Sequence, residues 1–204
     1  GERSTPDGHI TAPDDRYSDE TFERVYGPST IAFEYGKASF IILENVYYKP
    51  DSGYEGRFTD DQVAFVNAYL DGVPKDNLVI LLMHIPILRA HNREALFDAI
   101  DDRPNTLSIA AHTHTLINAF IDEEGGWKGE KPHHHFVNGT VCGSWWCGTF
   151  DERGIPHATM NDGAPNGYAY LHIDGPSYKI HYKPAGRPAD YQMNVHLPDE
   201  VTRA

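Results

Sequence analysis

Positive charge is scarce in this chain of 204 residues: 17 lysines and arginines stand against 30 aspartates and glutamates, a formal charge of −13 at pH 7. Proteins that coat nucleic acid neutralise phosphates with clustered lysine and arginine, so this balance excludes that class. Long apolar runs are also missing, since the longest, residues 78–83, has six residues. A membrane-spanning helix needs about 20 consecutive apolar residues, so no membrane span is predicted.

Cysteine is equally sparse, with only Cys142 and Cys147, inside the segment Cys-Gly-Ser-Trp-Trp-Cys. A zinc ribbon would need a second pair of cysteines, so that class is excluded. Two interpretations stay open for the pair: buried free thiols, or a local disulfide in an oxidising compartment. Histidine, by contrast, is abundant at 12 residues, and five of these lie in two tight groups.

Residues 18–121 alternate between predicted helices and strands, which is typical of an α/β sheet. Predicted helices begin at Ser18, at the capping box that starts with Thr59, and at Arg93. The predicted strands cover residues 30–35, 38–46, 78–83, 107–110 and 116–121. Residues 1–17 are polar and interrupted by proline and glycine, which predicts a loose arm.

The pattern changes at about residue 127, where glycine, proline, tyrosine and tryptophan become common and no helical period is visible. A hairpin is predicted over residues 167–182 through Asp174-Gly-Pro, and a further strand over residues 190–197. We therefore divide the chain into an α/β domain over residues 1–127 and a small β-rich domain over residues 128–204.

Three histidines follow the ends of predicted buried strands. His84 comes directly after the apolar run of residues 78–83, and His112 and His114 come directly after the strand that ends at Ala110. Ligands and catalytic groups gather at the carboxyl ends of strands in an α/β sheet, and neutral imidazole binds Zn, Fe, Mn or Ni. His84, His112 and His114 are therefore predicted metal ligands. Their spacing leaves open a mononuclear three-histidine zinc site and a two-metal site.

The second group of histidines covers residues 133–135. One interpretation is an exposed turn; the other places His134 and His135 beside the site as substrate-binding residues. Trp145 and Trp146 are predicted to line the entrance of the site with them. The alternative for the two tryptophans is an apolar anchor that joins the β-rich domain to the α/β domain.

Several segments together resemble one family, the calcineurin-like metallophosphoesterases, and in particular its bacterial members with an appended C-terminal domain. The segments are Gly27 to Tyr35 with Phe40-Ile-Ile-Leu, Leu-Leu-Met-His-Ile-Pro at 81–86, Ala-His-Thr-His-Thr at 111–115, Gly-Ser-Trp-Trp at 143–146, Asp-Glu-Arg-Gly-Ile-Pro at 151–156, Asp-Gly-Ala-Pro-Asn-Gly-Tyr at 162–168 and Ala-Asp-Tyr-Gln-Met at 189–193. The resemblance spans roughly residues 17–198. It implies the C-terminal portion of the family's β-sandwich with flanking helices, followed by a small β-rich domain.

The resemblance also implies an activity: hydrolysis of phosphate esters by a metal-activated water at a dinuclear site. By this resemblance His84 and His112 bind one ion and His114 binds the other, with Mn, Fe, Zn, Mg or Ni as the divalent metals. The implied substrate is a phosphorylated small molecule or an envelope component, and the implied location is periplasmic or secreted.

The sequence departs from the family pattern at its first half. The family's Asp-x-His, bridging Asp and Asn-His-Asp segments would lie before residue 17, where no apolar strand occurs, and Ala111 replaces the usual glycine before His-Thr-His. We therefore expect an incomplete catalytic domain, whose missing N-terminal half would be a partner, with weak metal binding and little phosphatase activity in the isolated chain. The alternatives are a non-catalytic module that binds a carbohydrate or envelope partner, and a mononuclear zinc hydrolase.

Overall fold

The computed structural model describes residues 3–4, 10–11, 18–49, 53–144, 149–151, 154 and 159–191. Three α-helices are present in these parts: α1 (Glu20–Tyr26), α2 (Asp60–Asp71) and α3 (Arg93–Asp98). The strands are β1 (Arg3–Ser4), β2 (Ile10–Thr11), β3 (Ile31–Tyr35), β4 (Ala38–Ile42), β5 (Val46–Tyr48), β6 (Tyr54–Gly56), β7 (Leu78–Leu82), β8 (Thr106–Ala110), β9 (Ile117–Ile121), β10 (His133–Val137), β11 (Gly167–Asp174) and β12 (Ser177–Pro184). No helix in these parts is long and apolar enough to cross a membrane.

A six-stranded mixed sheet forms the centre of the fold, in the order β3-β4-β7-β8-β10-β9. The four central strands are parallel, and the two edge strands β3 and β9 run antiparallel to their neighbours. Strands buried on both faces need continuous apolar sequence, and β7 meets this condition with Leu-Val-Ile-Leu-Leu. The predicted α/β sheet is confirmed.

Helices α2 and α3 cover one face of the sheet. The predicted capping box begins α2, since the Thr59 side chain accepts a hydrogen bond from the Gln62 amide and the Gln62 side chain accepts one from the Thr59 amide. Val66, Leu96 and Trp127 pack in the core on this face. Burial of each such side chain contributes about 1.5–3 kcal/mol, so this face carries much of the stability.

The predicted hairpin, β11 and β12, covers the opposite face. Strands β11 and β12 pair in register over their whole length, with Leu171 opposite Ile180. These two side chains pack against a core that includes Leu78 and Leu107 of the sheet. The result is a layered arrangement of helices, central sheet and hairpin, which agrees with the expected C-terminal portion of a sandwich with flanking helices.

One strand of the sheet was not predicted. Residues 133–137 form β10, which lies between β8 and β9 in the sheet. An exposed turn was one of the two interpretations of residues 133–135. The central sheet therefore extends past residue 127, while the division of the chain at that residue stays a prediction. The predicted strand over residues 190–197 falls almost entirely outside the described residues.

Candidate metal site at the carboxyl edge of the sheet

Two of the three predicted ligands meet at the carboxyl edge of the parallel strands. His84 follows β7, and His112 follows the neighbouring β8. The His84 Nε2 and His112 Nδ1 atoms lie 3.1 Å apart, and the ring centroids are separated by 4.9 Å at an angle of 71°. We call His84 and His112 the edge pair.

The backbone after β8 is strained where it carries the histidines. His112 and His114 are the non-glycine residues with positive φ in the described parts of the chain, at 66° and 52°. A left-handed backbone costs an L-residue roughly 1–2 kcal/mol, because Cβ approaches the following carbonyl oxygen. The surrounding structure must therefore hold this segment, residues 111–116, which we call the His-Thr-His turn.

Both histidines of the edge pair have a pKa below the ordinary value. For His84 the main cause is burial, followed by the nearby His112 and His114. For His112 the main cause is burial, followed by the Arg89 guanidinium and by His114. Burial and nearby positive charge both disfavour the imidazolium ion, so both rings are neutral at pH 7.

The edge pair fits two adjacent ligand positions of one metal ion. Two nitrogens that each lie about 2.0–2.1 Å from a tetrahedral ion are roughly 3.3 Å apart, close to the 3.1 Å between His84 Nε2 and His112 Nδ1. One of the two nitrogens donates an N–H hydrogen bond to the other; for both to bind an ion, the donor ring would carry its proton on its other nitrogen instead. Within the described residues, no group of three or more histidine, cysteine, aspartate or glutamate side chains is arranged to hold a metal. The three-ligand set of His84, His112 and His114 therefore stays a prediction. Of its members, the structure brings His84 and His112 into contact.

Asn45, which no sequence motif indicated, holds His84 in place. This fully buried side chain lies at the same sheet edge, three residues after β4. Its Oδ1 accepts hydrogen bonds from the His84 amide (3.1 Å) and the Ile85 amide (2.9 Å), and its Nδ2 donates to the Ile85 carbonyl (2.8 Å). The available signal was a polar residue just after the apolar run Phe-Ile-Ile-Leu.

Tyr54 faces the other nitrogen of His112. The Tyr54 hydroxyl lies 3.5 Å from His112 Nε2, and the rings meet edge to face with centroids 5.6 Å apart. Tyr54 begins β6, whose Gly56 bridges to Ala90 in the loop after β7. A Cβ on Gly56 would lie only 2.8 Å from a side-chain carbon of Ile85, so glycine permits this close approach. No sequence motif indicated Tyr54.

The second group of histidines lies away from the edge pair, inside the sheet. His133 and His135 are 0% and 1% exposed, and the Ser108 hydroxyl lies between them, 2.8 Å from His133 Nε2 and 2.7 Å from His135 Nδ1. The Thr106 hydroxyl lies 2.8 Å from His133 Nδ1. Burial lowers the pKa of His133 to about 3 and that of His135 to about 4.

His134 points to the opposite face, where it is half-buried. Its ring lies between Phe120 and Tyr178, stacked on both, and its two nitrogens contact the Tyr178 hydroxyl and Asn118 Oδ1. The predicted substrate-binding role of His134 and His135 gains no support from these positions. Trp145 and Trp146, predicted beside them, lie outside the described residues, as does Cys147.

A polar cavity of about 580 Å³ lies between α2 and α3, away from these histidines. Arg103 lines it and donates hydrogen bonds to the Leu70 carbonyl (2.6 Å) and the Pro74 carbonyl (3.2 Å). These contacts satisfy carbonyls at the end of α2, which is an ordinary structural role for a cation at a helix C-terminus.

Comparisons with known proteins give one family match and one likeness of fold. Residues 135–204 match the family model described as the C terminal of calcineurin-like phosphoesterase. Among solved structures, that of PhoD aligns with a TM-score of 0.52 at 17% identity, over 76% of this chain and 38% of that chain. No curated protein matches. The likeness to PhoD concerns the fold alone, and this chain spans well under half of the PhoD chain. The predicted resemblance to the calcineurin-like phosphoesterases is thus confirmed, by the family model for residues 135–204 and by PhoD for the fold.

Proposed function

We propose that this chain supplies the C-terminal portion of a metal-dependent phosphoesterase, in which the edge pair binds one divalent ion. The observation that carries the proposal is the 3.1 Å approach of His84 Nε2 to His112 Nδ1 at the carboxyl edge of β7 and β8. Two neutral imidazoles whose nitrogens converge on one point are a typical start of a metal site.

The chain's own residues prepare this site for an anion. Arg89 is exposed, and its charge adds to burial, the main cause, in lowering the pKa of His112. In a chain with a net charge of −13, a cation at this position gives a phosphate group a local attraction. Tyr54, on the other side of His112, presents a half-exposed ring and a hydroxyl to whatever binds there.

A divalent ion bound at such a site supplies a water of lowered pKa and neutralises charge on the phosphoryl oxygens. The role of the edge pair is to present two neutral nitrogens in fixed positions, and that of Asn45 is to fix the backbone of His84. Two imidazoles carry no negative charge to balance a dication, so we expect weak metal binding by the chain alone. His114, the predicted ligand of a second ion, is close enough to both members of the edge pair to be one of the causes of their lowered pKa, after burial and one other neighbouring group.

The test is metal titration of chelator-treated protein with Zn²⁺ and with Mn²⁺ by calorimetry, followed by titration with inorganic phosphate. We expect binding of an ion that weakens at least tenfold in His84→Ala and in His112→Ala, and phosphate binding that requires the ion. His172→Ala is the matched control, because His172 is exposed on β11. Equal metal binding by wild type and by the double variant lacking both edge histidines would overturn the proposal.

Turnover of a chromogenic phosphate ester with Mn²⁺ is a second measurement. We expect little activity in the isolated chain, and any activity present should disappear in His112→Ala. Activity that persists in His112→Ala would contradict the assignment of this site.

A second candidate function, a carbohydrate-binding module, rests on the outward face of the hairpin. Tyr168 and Tyr170 are 37% and 48% exposed there and meet edge to face, with centroids 5.4 Å apart. Exposed aromatic rings with polar tips are suited to contact sugars. A loss of polysaccharide binding in Tyr170→Ala, with metal binding unchanged, would favour this candidate.

A further inference from the structure

We infer that Asn161 and Asp162, in the C-terminal portion of the chain, are positioning residues that hold the His-Thr-His turn in its ligand-presenting conformation. The metal-related part of this inference rests on the proposed function. The contacts themselves do not, because they concern the shape of the turn.

The turn is bound by three hydrogen bonds from these two residues. The Asn161 amide donates to the His114 carbonyl (2.8 Å), and Asn161 Nδ2 donates to the Thr113 carbonyl (2.9 Å). Asp162 Oδ2 accepts from the Leu116 amide (2.7 Å). Two successive carbonyls and the amide just beyond them are thus fixed from outside the segment that carries the histidines.

The turn needs external support because its own sequence does not favour its shape. His112 and His114 both adopt positive φ, and neither is a glycine. Thr113, between them, donates its amide to the Ala111 carbonyl (2.7 Å), which closes a very short loop. Relaxation of either histidine to negative φ would redirect its side chain and would move the carbonyls that Asn161 binds. The contacts with Asn161 and Asp162 therefore stabilise the orientation of the imidazoles.

Asn161 and Asp162 are themselves held by a tight turn. Met160, which precedes them, is 2% exposed, and its amide donates to the Ala164 carbonyl (3.0 Å). Asp162 Oδ1 accepts from the Ala164 amide (3.0 Å), and Ser144 Oγ donates to Asn161 Oδ1. The buried methionine anchors this turn to the core, so its side chains reach the His-Thr-His turn from a fixed base.

This arrangement gives the segment that matches the family model a role in building the site. Residues 135–204 contain none of the predicted metal ligands. They nevertheless hold the His-Thr-His turn, on which two of those ligands, His112 and His114, lie. The C-terminal portion then serves as a support for the edge pair, in the way that outer contacts orient metal-binding histidines in general.

The chain offers a matched control for the experiment. Asn166 Nδ2 donates to the Val141 carbonyl at 2.7 Å, the same type of contact as that of Asn161 and in the same portion of the chain, but it does not touch the turn. Asn161 and Asp162 are exposed, so their replacement leaves the core intact. The variants are Asn161→Ala, Asp162→Ala, the conservative Asp162→Asn, and Asn166→Ala.

The first readout is taken by NMR on metal-free protein. In Asp162→Ala, the Leu116 amide should exchange with solvent at least tenfold faster, and Asp162→Asn should restore much of the protection because it keeps an oxygen acceptor. In Asn161→Ala, the three-bond HN–Hα couplings of His112 and His114, which report φ, should change. Asn166→Ala should leave all of these values as in wild type. Unchanged exchange and couplings in both Asn161→Ala and Asp162→Ala would overturn the inference.

The second readout is Zn²⁺ affinity by calorimetry, where removal of an outer contact weakens binding about 10–100-fold. We expect a loss of this size in Asn161→Ala and none in Asn166→Ala, and an equal loss in both would overturn the inference. If the wild-type chain binds no metal, the proposed function fails, and the first readout still decides whether these residues hold the turn.

Discussion

Two pairs of histidines in this molecule occupy opposite environments although they stand on neighbouring strands. The edge pair, His84 and His112, lies after the ends of β7 and β8, with one ring nitrogen of each facing the other. The buried pair, His133 and His135, lies within β10, joined through the Ser108 hydroxyl. Burial lowers the pKa of all four, but the rings of the edge pair contact each other directly, whereas those of the buried pair are joined through a hydroxyl.

The difference shows that the partner groups, rather than the residue type, decide what a histidine does. The nitrogens of His133 are both occupied by hydroxyl groups, those of Thr106 and Ser108, so this ring is a satisfied core residue. In the edge pair the two rings contact each other directly, the Tyr54 hydroxyl lies at the other nitrogen of His112, and the backbone is strained at His112. Satisfied polar groups such as the His133 ring stabilise a fold, whereas backbone strain of the kind found at His112 occurs at sites with a function.

The largest expected effect comes from removing the buried ring. His133→Ala should lower the free energy of unfolding by about 3–5 kcal/mol, because it opens a cavity beside Phe97 and Trp127, leaves the Thr106 hydroxyl without its partner and removes one of the two partners of the Ser108 hydroxyl. The matched change at the edge, His112→Ala, should lower the free energy of unfolding by about 1 kcal/mol or less, because His112 is only partly buried. Urea unfolding measures both, and similar losses in the two variants would show that the two pairs are energetically alike.

The second effect is acid destabilisation by the buried pair. Their folded-state pKa values of about 3 and about 4 lie below the unfolded value of roughly 6.5, so the unfolded chain binds more protons in between. Stability is therefore fully present above about pH 6.5 and falls as the pH decreases toward 3. We expect a loss of about 2 kcal/mol for each histidine between pH 7 and pH 5.

Urea unfolding at several pH values measures this slope. His133→Gln should flatten it, because that side chain no longer takes up a proton on unfolding, while His112→Gln should change it much less. A slope that is flattened only by His112→Gln would assign the acid sensitivity to the edge of the sheet.

The third effect concerns the support of the edge pair. Asn45→Ala removes three hydrogen bonds to His84 and Ile85, of which the two to Ile85 are buried, and it should lower stability by about 2–3 kcal/mol because two amides lose their acceptor. Asn45→Asp keeps the acceptor of the two amides, but it replaces the donor with a buried carboxylate oxygen that faces the Ile85 carbonyl; it should therefore be destabilising too, yet retain more of the metal affinity than Asn45→Ala. Unfolding and Zn²⁺ titration of the two variants measure this, and equal affinities would argue against a role for the Asn45 oxygen.

The smallest effect on stability is expected at Tyr54. Tyr54→Phe removes only the hydroxyl that faces His112 Nε2, so the stability should change by less than about 0.5 kcal/mol. If the Tyr54 oxygen accepts a hydrogen bond from His112 Nε2–H, the proportion of His112 with its proton on Nε2 should fall in this variant. Long-range ¹H–¹⁵N NMR spectra of the imidazole rings measure the tautomer, and an unchanged ratio would show that Tyr54 only packs against the ring.

Much of the fold followed from the sequence. The capping box at Thr59 and the apolar run of β7 encode their own structures locally, and both are confirmed. The hairpin of β11 and β12 was also predicted, because a turn sequence lies between two alternating strands. Strand β10 escaped prediction because its polar sequence, His-His-His-Phe-Val, resembles an exposed segment; its burial depends on hydroxyl groups supplied by β8.

The histidines of the candidate site could be predicted from the sequence, but the residues that contact and orient them could not. His84 and His112 were found because each follows a buried strand, and parallel strands bring their ends to one edge. Asn45, Tyr54 and Asn161 are far from these histidines in sequence, and none belongs to a motif that indicates a contact with them.

The sequence by itself determined the α/β architecture, the acidic charge and the positions of the histidines along the chain, because local patterns of apolar residues and turn residues encode them. Only the tertiary structure decided which histidines are neutral core residues and which face a common point. That distinction depends on burial and on hydrogen-bond partners from distant segments, Ser108 for the buried pair and Asn161 for the His-Thr-His turn. Such partners meet only when the chain has folded, so no local pattern records them.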